Sequence, residues 1–301
     1  GGLGAVDQSG SAARFNYPAG VAVDGSNNVY VADYANHAIR KITSSGVVTT
    51  LAGLATNSGS VNGTGSAARF NYPTGVAVDT NGTIYIADTY NHTIRKITTA
   101  GAVSTFAGTN TLNGTNNGTG TAARFNYPFA IAVGTNSTVY VADTYSHTIR
   151  KITSAGVVTT LAGSPTLSGT NDGFGGNARF SYPEGIAADA FGNVYVADNG
   201  SHIIRKITAA GQVTTLAGMP GVAGFADGAG SNARFYSPFG VAVDASGNVY
   251  VGDYNNHLIR KITPAGMVTT LAGLRGDAGR CSEWHGAAGS TAGGHQASHC
   301  R

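Results

Sequence analysis

Charge, cysteine and long apolar runs are all scarce in this 301-residue chain, and each shortage narrows what the chain can be. Only 11% of the residues are charged, and the net charge is +3. No apolar run approaches the roughly 18 residues that a membrane-spanning helix needs, so the sequence predicts no membrane span. Cysteine occurs only at Cys281 and Cys300, so its use does not identify the redox compartment. No window repeats its apolar residues with the period of a helix, which excludes a helical fold.

What the chain has in abundance is repetition. The tripeptide Ala-Arg-Phe recurs with a spacing of 55 residues, without an insertion or a deletion. Its arginines are Arg14, Arg69, Arg124, Arg179 and Arg234. A constant period of this size is typical of stacked or radial repeat proteins.

Each repeat contains four short runs that are typical of strands, separated by turns such as Asn81-Gly82 and Ala100-Gly101. In the second copy the runs are Val76–Asp79, Ile84–Ala87, Thr93–Thr98 and Ala102–Ala107. Four antiparallel strands per repeat make one β-propeller blade. We therefore predict an all-β propeller of five complete four-stranded blades, within one domain of residues 1–273. The blades are expected at about residues 10–53, 64–108, 119–163, 174–218 and 229–273.

Three strings in each copy resemble the NHL repeat, a propeller blade common in bacterial surface proteins. They are Pro-x-Gly-Val-Ala-Val-Asp, Asn-Val-Tyr-Val-Ala-Asp and Asn-His-x-Ile-Arg-Lys, and the resemblance covers residues 10–273. Departures are small: Gly134 replaces the aspartate after strand 1, and Ser146 and Ser201 replace asparagine. Similar domains usually have six blades. The resemblance therefore implies either a ring tightened to five blades or an open gap with exposed apolar faces.

Residues 274–301 break the repeat, and their composition changes abruptly. Back-translating residues 282–286 and reading one base later permits Val-Asn-Gly-Thr-Gly, which is the string at residues 61–65. Our hypothesis is that this tail is a sixth repeat read out of frame. The encoding DNA would test it.

The connections between blades are long, and Leu54–Tyr72 is an example. A loop of this length is often functional. Because it recurs in every blade, we expect a structural role, with Phe70 and Tyr72 placed in the seam between two blades.

Aspartate and histidine columns follow strand 2 in every copy and suggest either a metal site or a structural network. Their members are Asp33, Asp88, Asp143, Asp198 and Asp253, with His37, His92, His147, His202 and His257. Strands in a sheet lie about 4.8 Å apart, so histidines on the third strand stand too far from the channel to share one ion. Two ligands within one blade are too few for a closed zinc site. We therefore predict no metal and no cofactor, and we place these columns with the Ala-Arg-Phe arginines in a structural network.

Basic residues also fall in columns. Fifteen of the 18 Lys and Arg belong to the repeats, as the Ala-Arg-Phe arginine and an Arg-Lys pair on strand 3. We expect the first arginine to pair with the strand-1 aspartate, as Arg69 with Asp79. The Arg-Lys column suggests RNA binding, but aromatic residues do not interleave with it as a stacking platform requires. We therefore do not predict nucleic acid as a partner.

A dedicated site needs residues that are not repeated, so the positions where the copies differ are the candidates. Before the strand-1 glycine stand Ala19, Thr74, Phe129, Glu184 and Phe239. After the strand-2 aspartate stand Tyr34, Thr89, Thr144, Asn199 and Tyr254. Both columns are expected on one face, the first at the channel mouth. Apolar walls with one convergent charge are typical of a small-ligand site, although neutral variation of the surface explains the same pattern.

The sequence supports three functions. The first is a non-catalytic binding or scaffold module, exported from a bacterium to its surface or surroundings, that recognises protein or glycan. The second, an enzyme, is a lyase or lactonase propeller; it needs unique channel-facing acids or histidines, of which the repeats offer only Glu184, so we predict no enzyme. The third is a recently amplified or engineered propeller that self-associates through open blade faces.

Overall fold

The computed structural model describes residues 2–274, which form five β-sheets, one per repeat. Each sheet is an antiparallel meander of strands 1 to 4, as predicted. Strand 1 is Pro18–Val23, Pro73–Val78, Pro128–Val133, Pro183–Ala188 and Pro238–Val243. Strand 2 is Val29–Asp33, Ile84–Asp88, Val139–Asp143, Val194–Asp198 and Val249–Asp253. Strand 3 is Ala38–Ile42, Thr93–Ile97, Thr148–Ile152, Ile203–Ile207 and Leu258–Ile262. Strand 4 is Val48–Gly53, Ala102–Gly108, Val157–Ala162, Gln212–Ala217 and Met267–Ala272.

Blades 2 to 5 each carry a fifth, two-residue strand that the sequence did not reveal. It belongs to the connection before the blade and pairs with the outer edge of strand 4. These outer strands are Gly63–Thr64, Gly118–Thr119, Gly173–Phe174 and Gly228–Ala229. The long connection therefore runs down the outside of the blade before it crosses to strand 1, which lines the central channel.

Helical structure in residues 2–274 is limited to single 3₁₀ turns. One set precedes strand 1: Gly10–Ala12, Gly65–Ala67, Gly120–Ala122, Gly175–Asn177 and Gly230–Asn232. A second set joins strands 2 and 3: Tyr34–Asn36, Thr89–Asn91, Thr144–Ser146, Asn199–Ser201 and Tyr254–Asn256. Blade 3 has one more, Thr135–Ser137, between strands 1 and 2. None of these turns has the length or apolar character to cross a membrane.

The core consists of four apolar clusters, each lying in the seam between two consecutive blades. In the first seam Ile39 of blade 1 packs with Phe70 and Val76 of blade 2. Phe70 is completely buried, as expected for the connection. Alternating side chains of the strands thus face opposite sides of the blade, and blades 2 to 4 are each held by both neighbours.

Blades 5 and 1 do not form a fifth cluster of this kind within residues 2–274. Ile259 of blade 5 is 44% exposed, whereas the same position in blades 1 to 4 is completely buried. Val21 of blade 1 is 68% exposed, whereas Val76 of blade 2 is 5% exposed. The five blades therefore form an open ring. The tail from residue 275 onwards and both cysteines lie outside the described residues, so the out-of-frame repeat stays a hypothesis.

Candidate functional site

A buried hydrogen-bond network at each blade accounts for most of the repeated polar residues. In blade 2, Asp88 accepts from the backbone N–H of Asn71 (2.7 Å), from the Asn91 amide (2.7 Å) and from the Arg95 guanidinium (2.8 Å). Asp88 and Arg95 are both completely buried. Burial raises the pKa of Asp88 to about 6, while the Arg95 charge acts in the opposite direction. The ion pair joins strand 2 to strand 3 and holds the start of strand 1.

The strand-3 arginine also fixes the connection. Arg95 donates to the carbonyl oxygens of Arg69 (2.9 Å) and Val61 (3.2 Å) and to Asn62 Oδ1 (2.8 Å). Its guanidinium lies 5.3 Å from the centroid of the Phe70 ring. The strand-3 arginines of the other blades donate to the equivalent carbonyl oxygens of their connections. The strand-3 arginine is therefore a structural residue and is not available to RNA.

The predicted ion pair between the Ala-Arg-Phe arginine and the strand-1 aspartate is wrong. Arg69 donates to carbonyl oxygens of its own turn, those of Ser66 and Ala68. Asp79 accepts instead from backbone N–H groups of the turn that follows strand 1. Asp79 Oδ2 also accepts from the Ser137 hydroxyl of blade 3 (2.8 Å), so neither charge depends on the other. Blade 3 therefore tolerates Gly134 in place of the aspartate.

All five histidines have a left-handed backbone conformation, and four of them link neighbouring blades. His37 has a φ of 52°, and its Nδ1 accepts from the backbone N–H of Tyr72 in the next blade (3.1 Å). His92, His147 and His202 make the same bond to the next blade. Burial lowers the pKa of His37, which favours the neutral acceptor form. Within residues 2–274 no three metal-ligating side chains come together.

The channel mouth brings together the first column of differing residues. Ala19, Thr74, Phe129, Glu184 and Phe239 line one cavity of about 240 Å³, with strand-1 backbone from all five blades. The Phe129 and Phe239 rings meet edge to face, with centroids 5.4 Å apart. Removal from water raises the pKa of Glu184 to about 7. The cavity is thus an apolar mouth with one carboxyl group whose charge changes near neutral pH.

The second column lies beside the first, mostly inside the seams, and the Thr89 and Thr74 hydroxyls are hydrogen-bonded (2.6 Å). Thr89 and Thr144 are buried and donate to the carbonyl oxygens of Pro128 (2.8 Å) and Pro183 (2.7 Å). Asn199 donates to the corresponding Pro238 oxygen of its neighbour (3.3 Å). This column therefore supports the blade contacts and does not line the cavity. Its end members, Tyr34 and Tyr254, lie in aromatic clusters instead.

An arc of six tyrosines on this face was missed in the sequence. Neighbouring rings have centroids 4.7 to 5.6 Å apart, and the arc crosses from blade 1 to blade 4. Its members are Tyr34, Tyr72, Tyr90, Tyr127, Tyr145 and Tyr182. Tyr72, expected inside a seam, lies half-buried at its rim between Tyr34 and Tyr90. Tyr145 and Tyr182 are 51% and 44% exposed, so part of the arc is available to a partner. The tyrosines come from three sequence columns, and only the contact between blades joins them.

Comparison with known proteins places this architecture in a family. The NHL repeat matches residues 15–42, 70–97 and 180–207, and the teneurin NHL domain matches residues 222–286. The chain is 34% identical over 275 residues to Protein SUPPRESSOR OF QUENCHING 1, chloroplastic, of Arabidopsis thaliana, covering 86% of this chain and 26% of that protein. It is 30% identical over 293 residues to human NHL repeat-containing protein 2, covering 85% of this chain and 40% of that protein.

Solved structures share the fold at lower identity. An auxiliary nutrient binding protein from Bacteroides ovatus is 20% identical with a TM-score of 0.64, covering 88% of this chain and 61% of that chain. Virginiamycin B lyase from Staphylococcus aureus is 14% identical with a TM-score of 0.53, covering 84% of this chain and 83% of that chain. Both a binding protein and an enzyme therefore share this fold. From the repeat matches and the relatives, the chain belongs to the NHL-repeat family of β-propellers.

Proposed function

We propose that this propeller is a non-catalytic recognition module that binds a protein or glycan ligand at the face where the channel opens. The observation that carries the proposal is the cavity at the channel mouth. It gathers the column of strand 1 in which the repeats differ most, while the repeated polar residues are used inside the blades. Phe129, Phe239 and the exposed tyrosines supply flat apolar surface, which is enriched in binding sites.

An extracellular or cell-surface location on a bacterium belongs to the same proposal. Its support is the surface composition, rich in Thr, Asn, Ser and Gly and poor in Lys and Glu.

The test is a screen of a glycan array and a random-peptide library with the intact chain, followed by titration of the best probe. We expect Phe129→Ala and Phe239→Ala to weaken binding at least tenfold, as is usual for a buried aromatic anchor (about 1.4 kcal/mol). Phe191→Ala is the matched control, because Phe191 is 83% exposed in the turn between strands 1 and 2, at the other end of the blade. Binding that depends on Phe191 but not on the channel phenylalanines would contradict the proposal. A blank screen would contradict it as well.

A lyase or lactonase is the second candidate, and Glu184 is the observation that favours it. A carboxyl group with a pKa of about 7 in an apolar cavity is suited to general acid–base catalysis. Turnover of lactones or of virginiamycin B by the wild-type chain, abolished in Glu184→Gln, would replace the binding proposal with this one.

A further inference from the structure

The open seam between blades 5 and 1 carries an inference that is independent of the channel mouth. Each of the four closed seams has two complementary halves. The earlier blade offers an isoleucine of strand 3 and a histidine acceptor, as Ile39 and His37 do. The later blade offers the phenylalanine of Ala-Arg-Phe and the N–H two residues on, as Phe70 and Tyr72 do. The same pairing is repeated four times in one chain.

Blade 5 presents the first half without a partner among the described residues. Ile259 and Leu271 are 44% and 57% exposed, and His257 is exposed and lacks the backbone donor that the other four histidines have. A cavity of about 280 Å³ lies between Phe239, Tyr254, His257 and Ile259. In the closed seams the start of the next strand 1 occupies the equivalent space.

The strand-1 glycines show the same difference at backbone level. A Cβ added to Gly185 would lie against the Phe239 carbonyl of the next blade. A Cβ added to Gly240, the equivalent residue of blade 5, would meet nothing within 4 Å. Beside blade 5, the space that the next blade fills in the closed seams is therefore empty as far as the backbone of strand 1.

Blade 1 presents the second half, also uncovered. Val21 and Val23 are 68% and 57% exposed, and Phe15 is only half-buried where Phe70 is completely buried. Tyr17 has a φ of 51°, close to the 49° of Tyr72. Its backbone therefore already has the conformation from which Tyr72 donates its N–H to His37. One chain thus carries both halves of a fifth seam at its two open ends.

We propose that the open face of blade 5 binds the open face of blade 1 of a second copy of this chain. Phe15 of the second copy packs on Ile259, and its Tyr17 N–H donates to His257 Nδ1. The occupant follows from the four closed seams, since blade 1 repeats the residues that already cover this face in blades 2 to 5. The contact is head to tail, so every copy keeps one free half of each kind and association continues beyond a dimer. Uncovered apolar faces of this kind favour association.

Sedimentation velocity of the full chain between about 1 and 100 µM, the range of ordinary specific contacts, tests this assembly. The wild type is expected to sediment increasingly faster than a monomer as its concentration rises. Val21→Glu disrupts the open face of blade 1, and Leu271→Glu disrupts the open face of blade 5. Each should weaken association about 100-fold or more, because a carboxylate would be buried without a partner. Both positions are exposed in the single chain, so neither variant should unfold; circular dichroism checks this. Phe191→Glu, an exposed apolar position away from both faces, is the matched control and should associate like the wild type.

Mixing the two variants tests whether the contact is head to tail, with blade 5 of one copy on blade 1 of another. The Val21→Glu chain keeps a good blade 5 face, and the Leu271→Glu chain keeps a good blade 1 face. Each alone should be monomeric, and an equimolar mixture should form a dimer that does not grow further. A monomeric wild type over the whole range would overturn the proposal, as would a mixture that stays monomeric. Loss of association in only one of the two variants would indicate a symmetric contact and would also overturn it. Association that appears only after removal of residues 275–301 would overturn it in favour of the tail as the occupant.

Discussion

At the scale of single residues, the repeat makes the exceptions informative. Side chains present in every copy are used for folding: Asp88 and Arg95 neutralise each other inside the blade, and His37 joins two blades. Glu184 is different, since the repeats contain no other glutamate. Its position beside Phe129 and Phe239 could be predicted, because a shared column in a meander returns to the same end of each blade. The raised pKa of Glu184 could not be predicted, because it depends on how closely the five strands approach one another.

The carboxyl group of Glu184 should titrate near pH 7. Because the chain has only two glutamates, Glu184 and Glu283, a sample labelled with ¹³C only at the glutamate side-chain carboxyl carbon should show two signals, and Glu184→Gln should remove the one with the higher midpoint. The folded pKa of about 7 lies above the ordinary value of 4.5, so the folded state binds the proton more tightly. Stability should therefore fall as pH rises from about 4.5 to about 7. Urea unfolding at pH 4 and pH 8 should show a smaller fall in Glu184→Gln. A midpoint near 4.5 would mean that the carboxyl group is well hydrated.

At the scale of strands and connections, the sequence predicted the four-stranded meander because alternating residues and Asn-Gly or Ala-Gly turns act locally. The second strand of blade 2, expected at Ile84–Ala87, is observed as Ile84–Asp88. The two-residue outer strand Gly63–Thr64 was missed because two residues cannot show alternation, and its pairing with Ala102 and Val103 depends on the path of the connection. The tyrosine arc was missed for a similar reason, since neighbours such as Tyr72 and Tyr90 meet only after the blades pack.

The buried arginine that fixes the connection should be far more important for stability than the lysine beside it. Arg95→Met should lower the free energy of unfolding by about 3–5 kcal/mol, because it leaves Asp88 buried without its charge partner. Lys96→Met is the matched control on the same strand. Lys96 is half-buried and lies 5.8 Å from the Phe106 ring, a contact of about 1 kcal/mol or less. Urea denaturation at pH 7 measures both. Equal losses in the two variants would show that the ion pair does not hold the connection.

At the scale of the whole molecule, the chain is an NHL-repeat propeller with one seam unmade. The number of blades could be predicted from the period, but closure could not. Closure depends on the angle between blades, which is set by how residues such as Phe70 and Val76 fill each seam. Four filled seams and one exposed pair of faces produce a molecule with a cavity at its channel mouth and two uncovered faces at its ends.

Hydroxyl-radical footprinting of the intact chain in dilute solution, read by peptide mass spectrometry, tests the open ring most directly. The five equivalent isoleucines serve as controls for one another: Ile39, Ile94, Ile149, Ile204 and Ile259. An open ring predicts rapid oxidation of Ile259 and of Val21, with the other four isoleucines protected as their complete burial requires. A ring that closes on five blades predicts equal protection at all five isoleucines, and that result would contradict the account.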